Sequence, residues 1–353
     1  YFQIVHGGLP ELPFYENNVV STAPSDDRSR FSARFLAVAR SFYNRWAHER
    51  HLDNTNACFR TRYGDNFTDI RTLARETAFD FVNTNALLDQ PRPISPRVKY
   101  IGGLGLSAAK PLSHELASIL QSSKRGVVLF SFGTQVPAES VNQRIVDVFR
   151  EAFTHFPDFT FLWKHDSRAA INASNIHSVD WLPQTDLLYN DRVVGFISHA
   201  GLNSFVESSF AGVPLLCIPL FVDQFHNARQ AVRLGTGVTL SKTSLTTDVV
   251  VDALSQLLEN PAYRENARKL RQKLRDSRDT ASRVLLESIE FAAKHPDVHK
   301  NFMPDAVHYN ILSAHGYDVI IVMYSIVLSL ACILYWFARR ACLRAVELKA
   351  KTE

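Results

Sequence analysis

"WLPQTDLLYNDRVVGFISHAGLNSFVESSFAGVPLLCIPLFVDQ", residues 181–224, already declares an α/β architecture. At its centre Arg192–Ser198 is an apolar run too short for a helix and unbroken by polar residues. A small-residue turn, Ser198 to Gly201, leads into the helical pattern Asn203–Ala211, which Gly212 closes. Pro214–Leu220 is a second apolar run, followed by an amphipathic helix, Gln224–Leu234, ended by Gly235. Strands apolar on both faces belong to a parallel sheet covered by helices on both sides. The loops between these elements are rich in Trp, Gln, His, Asn, Glu and Asp.

The same alternation extends outward. Upstream, Gly126–Gly133 reads as a buried strand, Ala138–Phe153 as a helix and Phe159–Lys164 as a strand. Downstream come a strand at Gly237–Leu240 and helices at Thr247–Glu259 and Pro261–Asp276, the last with Asn260 as cap and Pro261 in first position. Residues 101–285 thus read as a Rossmann-like, doubly wound domain. Residues 1–100 differ: they are rich in Arg, Asn and aromatics, with helical periodicity at Arg30–His51 and Thr68–Thr77 and a strand at Phe79–Asn85. A Pro- and Gly-rich linker ending in Gly102, Gly103 and Gly105 separates the two parts.

In a doubly wound sheet, ligands sit where strands end and helices begin. Two such ends are chemically loaded, Ser131-Phe132-Gly133-Thr134 and Ser198-His199-Ala200-Gly201-Leu202-Asn203-Ser204. Small residues let backbone approach a ligand, and a helix N-terminus favours anions, so the second is a phosphate grip. Glu207, one turn along, repels phosphate and suits hydroxyl donors such as a ribose diol. Trp181 and Gln184 offer a flat face and an amide for a base ring. Asp223 and Gln224 suit sugar hydroxyls. Singly, each has a plainer reading. Trp181 fits a core, Asn203, Ser204 or Asp223 a helix cap, and Glu207 a solvated helix face. His199 fits a loop histidine or, with Asp223 and His226, a metal ligand. Together they describe one extended ligand.

With the flanking "YIGGLGLSAAKPL", "VVLFSFGT" and "FLWK", this segment resembles the UDP-glycosyltransferases, specifically the animal UDP-glucuronosyltransferases. The resemblance implies a two-domain GT-B fold with the UDP-sugar on the C-terminal domain and a small lipophilic acceptor on the N-terminal one. By position it assigns Trp181 to uracil, Gln184 to the nucleoside and Glu207 to ribose. Ser131, Gly133, Ser198, His199, Gly201, Asn203 and Ser204 go to the diphosphate, and Asp223 with Gln224 to the sugar. Arg75 corresponds loosely to an arginine near the diphosphate. Ala200 departs from the family's usual glycine. The implied reaction is inverting transfer of glucuronic acid, with UDP-glucuronate as co-substrate and no cofactor. The family's histidine base and its aspartate are expected upstream of Tyr1, making this chain the C-terminal part of a longer protein. A UDP-glucosyltransferase and a non-catalytic membrane-anchored UDP-sugar binder are the alternatives. The chain has no Asp-x-Asp and no Gly-x-Ser-x-Gly, so metal-chelating transferase and serine hydrolase chemistries lack their motifs.

Val319–Ala338 is uncharged for twenty residues, roughly the 30 Å of a bilayer core. Asp318 precedes it and Arg339 and Arg340 follow, which predicts a single span with residues 339–353 cytosolic and the body lumenal. Residues 286–318 read as closing helices and a juxtamembrane segment. Sequons at Asn66 and Asn172 fit that orientation, and Lys349 and Lys351 resemble a dilysine endoplasmic-reticulum signal. Of the net +4 charge, +3 lies beyond Phe337, so the body carries no basic footprint for nucleic acid. The four cysteines make no disulfide framework, and homo- or hetero-oligomers stay open.

Overall fold

The computed structural model describes residues 31–349 apart from 92–93, 107, 135–140, 166–172, 304–310 and 315. The described residues begin with α1 (Phe31–Tyr63), α2 (Ile70–Arg75) and a parallel pair, β1 (Asp80–Val82) and β2 (Val98–Tyr100). There follow α3 (His114–Ser122), β3 (Gly126–Ser131), α4 (Gln143–Thr154), β4 (Phe159–Lys164), β5 (Ile176–Val179) and α5 (Gln184–Leu188). Then come β6 (Val193–Ser198), α6 (Leu202–Ala211), β7 (Leu215–Cys217), α7 (Gln224–Arg233) and β8 (Gly237–Thr239). The helices α8 (Thr247–Glu259), α9 (Pro261–Lys294), α10 (Ile311–Ala314) and α11 (Tyr317–Lys349) end the chain.

Strands β3 to β8 form one parallel sheet in the order β5-β4-β3-β6-β7-β8. This is the doubly wound order, reversing direction between β3 and β6. β3 and β6 are buried at every position, as their unbroken apolar runs require. Alternate residues enter two separate cores. Val127 and Leu129 face Phe205, Phe210 and Leu274, while Val128 and Phe130 face Phe149, Phe153 and Leu254. The second core is largely aromatic, with Phe153 on Phe161 at 3.8 Å and Phe130 on Trp163 at 4.5 Å. Truncating a fully buried ring such as Phe130 to Ala costs about 3–5 kcal/mol.

The N-terminal part is fastened to this domain. Asn85 Nδ2 donates to Ser277 Oγ at 2.9 Å, and the buried His226 ring lies 3.1 Å from Asp89. Gly103, at φ +86°, lets Phe210 approach so closely that a Cβ would lie 2.3 Å from the ring. Arg97, fully buried, donates to the carbonyls of Ala74 and Thr77 and so ties α2 to β2.

Several boundaries differ from the sequence reading. α1 continues twelve residues past His51, because Asn56 clasps the Asp69 carboxylate (2.8 Å) and the Ile70 N–H (3.0 Å). α4 starts at Gln143 behind an Asn142 cap; the expected start at 138–140 lies outside the described residues. The strand expected over Phe79–Asn85 is three residues long, and α9 runs on to Lys294, so the expected boundary at 285/286 falls inside one helix. β2, β5, α3 and α5 are short elements without a strong period. α11 does not stop at Ala338: Tyr317–Ala341 is apolar and unburied, and the helix continues to Lys349. Among the described residues Cys58, Cys217 and Cys332 are free, and burial pushes the Cys217 thiol up to about 12.

Candidate functional site

The reversal of strand order opens a crevice above the C-terminal ends of β3 and β6, where Ser131 and Ser198 are register partners. Each serine makes the same tight turn. Ser131 Oγ accepts the Gly133 N–H at 3.1 Å, and Ser198 Oγ accepts the Ala200 N–H at 3.2 Å. The two turns bring Gly133 and Gly201 against the Cε1–Nε2 edge of the His199 imidazole. A Cβ on Gly133 would lie 2.7 Å from the ring and one on Gly201 2.5 Å from Nε2. Both glycines exist to make a slot for that ring. Its Nδ1 is buried with no hydrogen-bond partner. Burial pushes His199 below its usual value, and the Asp223 carboxylate partly opposes this.

Gly201 caps α6 without a side-chain hydrogen bond, and the first turn contains no acid. Its free N–H groups and positive dipole end therefore face the crevice. Asn203 and Ser204 stand in that first turn rather than at the cap. Ala200 sits at φ +61°, with its methyl fully buried. This left-handed conformation costs a Cβ-bearing residue about 1–2 kcal/mol. Asn227 Nδ2 holds it there, donating to the Ala200 carbonyl at 3.0 Å and to Asp223 Oδ2 at 3.1 Å.

Glu207, one turn into α6, accepts from Gln184 Nε2 at 2.7 Å, and the same amide reaches Ser204 Oγ at 3.3 Å. Burial raises the Glu207 carboxyl above its usual value, while hydrogen bonds from Gln184 and Thr185 pull it back. Such a group gains from further hydroxyl donors. Trp181 is 66% exposed, so it is no core aromatic. Lys164 Nζ lies 4.9 Å over its ring and donates to the Gly133 carbonyl at 3.1 Å.

These groups line one cleft of about 570 Å³. Ser131, Gly133, Trp181, Gln184, His199, Gly201, Asn203, Ser204, Glu207, Asp223 and Gln224 all face it. Their order follows the sheet: Trp181 after β5, Lys164 after β4, Gly133 after β3, His199 after β6 and Asp223 after β7. Four strand steps span about 19 Å. Ser198 does not line the cleft; it is fully buried and shapes the turn under it. Arg75, at the end of α2, is not brought to the cleft either. His226 turns to Asp89, so it joins His199 and Asp223 in no common set. Asp223 occupies the N-cap position of α7, but its side chain makes no capping hydrogen bond.

The sequence reading missed Lys110, Lys164, Asp186, Phe221 and Asn227, whereas Thr134, at the end of the loaded β3 turn, does line the cleft. Lys164 was findable, since it ends a strand whose neighbours were already loaded. Asp186 accepts the Lys110 N–H at 2.8 Å across 76 residues, and no local pattern announces such a contact.

The family model described as "UDP-glucoronosyl and UDP-glucosyl transferase" matches residues 3–352. The Caenorhabditis elegans protein ugt-48 is 31% identical over 89% of this chain and 60% of its own length. UDP-glucuronosyltransferase 1A8 of Rattus norvegicus is 32% identical over 75% of this chain and 50% of its own. The ecdysteroid UDP-glucosyltransferase of Lymantria dispar multicapsid nuclear polyhedrosis virus is 36% identical over 63% and 45%. The chain thus spans 45–60% of the length of these relatives. Among solved structures, the glycotransferase of kitacinnamycin shares the fold at TM-score 0.54 and 21% identity, covering 72% of this chain and 66% of that one. UDP-glucose: anthocyanidin 3-O-glucosyltransferase, solved in complex with UDP, matches at TM-score 0.50 and 27% identity, over 60% and 53%. The parallel, doubly wound sheet is that of a GT-B glycosyltransferase, and the chain belongs to the UDP-glycosyltransferase family.

Proposed function

We propose that this chain carries the donor site of a UDP-glucuronosyltransferase that moves glucuronic acid to a small lipophilic acceptor with inversion. The supporting observation is the lateral order of groups in one cleft. An exposed indole precedes an amide-bonded carboxylate, a helix N-terminus with a locked imidazole, and finally Asp223 with Gln224. Uracil, ribose, diphosphate and sugar fall on these in turn. The α6 N–H groups and His199 stabilise charge on the departing UDP. No metal is assigned to that task. His199 is not assigned as the acceptor's base, because its locked ring faces the diphosphate position. That role is assigned to a histidine in the acceptor half, N-terminal to these residues.

A second reading, transfer of glucose, has its own support. Phe221, Asp223 and Gln224 at the sugar end bring one carboxylate and no cation to meet a uronate. Competition between UDP-glucuronate and UDP-glucose on the full-length protein separates the two.

Calorimetry of UDP binding to this chain tests the site itself. Trp181→Ala and Glu207→Ala each weaken UDP at least about fivefold if the assignment holds, since a base–aromatic stack and a paired diol are each worth about 1–3 kcal/mol. Unchanged affinity in both overturns it.

A further inference from the structure

Two exposed apolar residues stand side by side in the loop after β7, Phe221 in the cleft wall and Val222 next to it. They are 40% and 53% exposed. Val222 adopts φ +53°, the left-handed region that a β-branched side chain tolerates worst. The turn is imposed from both sides. The buried Gln224 amide oxygen accepts the N–H groups of Leu220 (2.7 Å) and Phe221 (3.1 Å), and Lys242 Nζ donates to the Leu220 carbonyl at 2.8 Å. Glycine or asparagine would take that conformation at lower cost. An exposed valine there returns no burial to the fold, so what keeps it apolar lies outside the fold.

We infer that Phe221 and Val222 form a lip that binds the apolar body of the acceptor and sets its size preference. This rests on the donor-site reading. The sheet places Phe221 beside Asp223, four strands from β5, where the sugar end of the ligand lies. In an inverting displacement, the acceptor oxygen bonds to the sugar's anomeric carbon as that carbon's bond to the phosphate oxygen breaks. UDP leaves with the electron pair and the acceptor's proton passes to the base. The acceptor therefore approaches on the side away from UDP, past the sugar end, where these two side chains stand. Sugar, diphosphate and base are polar or already matched along the cleft. The ligand portion left for an apolar lip is a hydrocarbon aglycone.

The test uses the full-length protein with a series of 4-alkylphenols, from methyl to hexyl, and compares Val222→Asn and Phe221→Ser with wild type. For wild type, kcat/KM rises with chain length, by up to about fourfold per methylene that becomes buried. In both variants that slope flattens, with at least a tenfold loss for hexylphenol, and in Val222→Asn the loss for methylphenol stays below threefold. UDP affinity stays within twofold, and Val222→Asn holds or gains thermal stability, because asparagine suits the left-handed turn. A chain-length slope unchanged in both variants overturns the lip. So does a wild-type protein that binds UDP but turns over no alkylphenol with either donor. Failure of wild type to bind UDP strikes the donor-site reading instead.

Discussion

His199 owes its position to two residues that have no side chains. Gly133 and Gly201 leave room for the imidazole between the ends of β3 and β6, room that a Cβ at either position would take. Gly201→Ala forces a methyl to within 2.5 Å of Nε2, so the ring must leave the slot. We expect at least tenfold weaker UDP binding by calorimetry with an unchanged circular dichroism spectrum. The ring's titration has a sign that can be worked out. His199 lies below its usual 6.5 in the folded, empty cleft, so it is neutral above that pH in both folded and unfolded chain. As pH falls through 6.5, the unfolded chain takes up the proton first. The stability tied to neutral His199 is present above 6.5 and is lost between there and the lower folded value. A bound diphosphate reverses the preference, because its charge favours imidazolium. Donor binding therefore takes up a proton and tightens as pH falls. Titrating UDP-glucose at pH 6.5 in buffers of different protonation enthalpy reads that uptake, up to one proton, and His199→Gln abolishes it. The gathering of these residues was legible in the sequence, since small residues beside His, Asn and Ser at a strand end suit an anion site. The positive φ of Ala200 was signalled by the family's usual glycine at that position and by nothing in alanine itself.

At the scale of elements, the buried strands and the helices after them were plain, because period and composition agree over Arg192–Leu234. Short edge elements escaped. β5, whose outer side has no partner strand, has only four residues and a mixed pattern. That cost matters, because β5 aims Trp181. The loops between elements are joined by contacts that sequence spacing does not reveal. Lys164 links the β4 end to the β3 turn and to Trp181, and Asn227 links α7 to the β6 turn. Lys164→Ala removes a cation–π contact worth about 0.5–1 kcal/mol and one backbone hydrogen bond. We expect three- to tenfold weaker UDP binding with little change in thermal stability, because both lost contacts position loops and neither supports a core. Equal losses of stability and affinity would mean that Lys164 supports the core instead.

Across the whole molecule, the sequence was clearest where the chain is most regular, in the donor domain and the terminal span, and poorest before residue 100. There, α1 exposes Phe31, Phe35, Tyr43 and Trp46, and α2 is tied down through the Ala74 carbonyl by a buried arginine 23 residues downstream in sequence. Those arrangements depend on long-range contacts, and periodicity is blind to them. The span makes one prediction that no contact within the fold can supply. The 25-residue stretch Tyr317–Ala341 is wholly unburied, and a hydrophobic helix of that length is stable where lipid covers it. With Arg339 and Arg340 at its C-terminal end, we expect from the positive-inside rule that the body is lumenal. Asn66, in the sequon Asn66-Phe67-Thr68, is exposed just after α1 and open to a lumenal oligosaccharyltransferase; Asn172 lies outside the described residues. Expressed in microsomes, the chain should resist carbonate extraction and show an endoglycosidase-sensitive band that shifts in Asn66→Gln. A chain that stays in the membrane yet never acquires sugar at Asn66, although the residue is exposed, would put the cleft on the cytosolic face. The orientation argued from the two arginines would then be wrong.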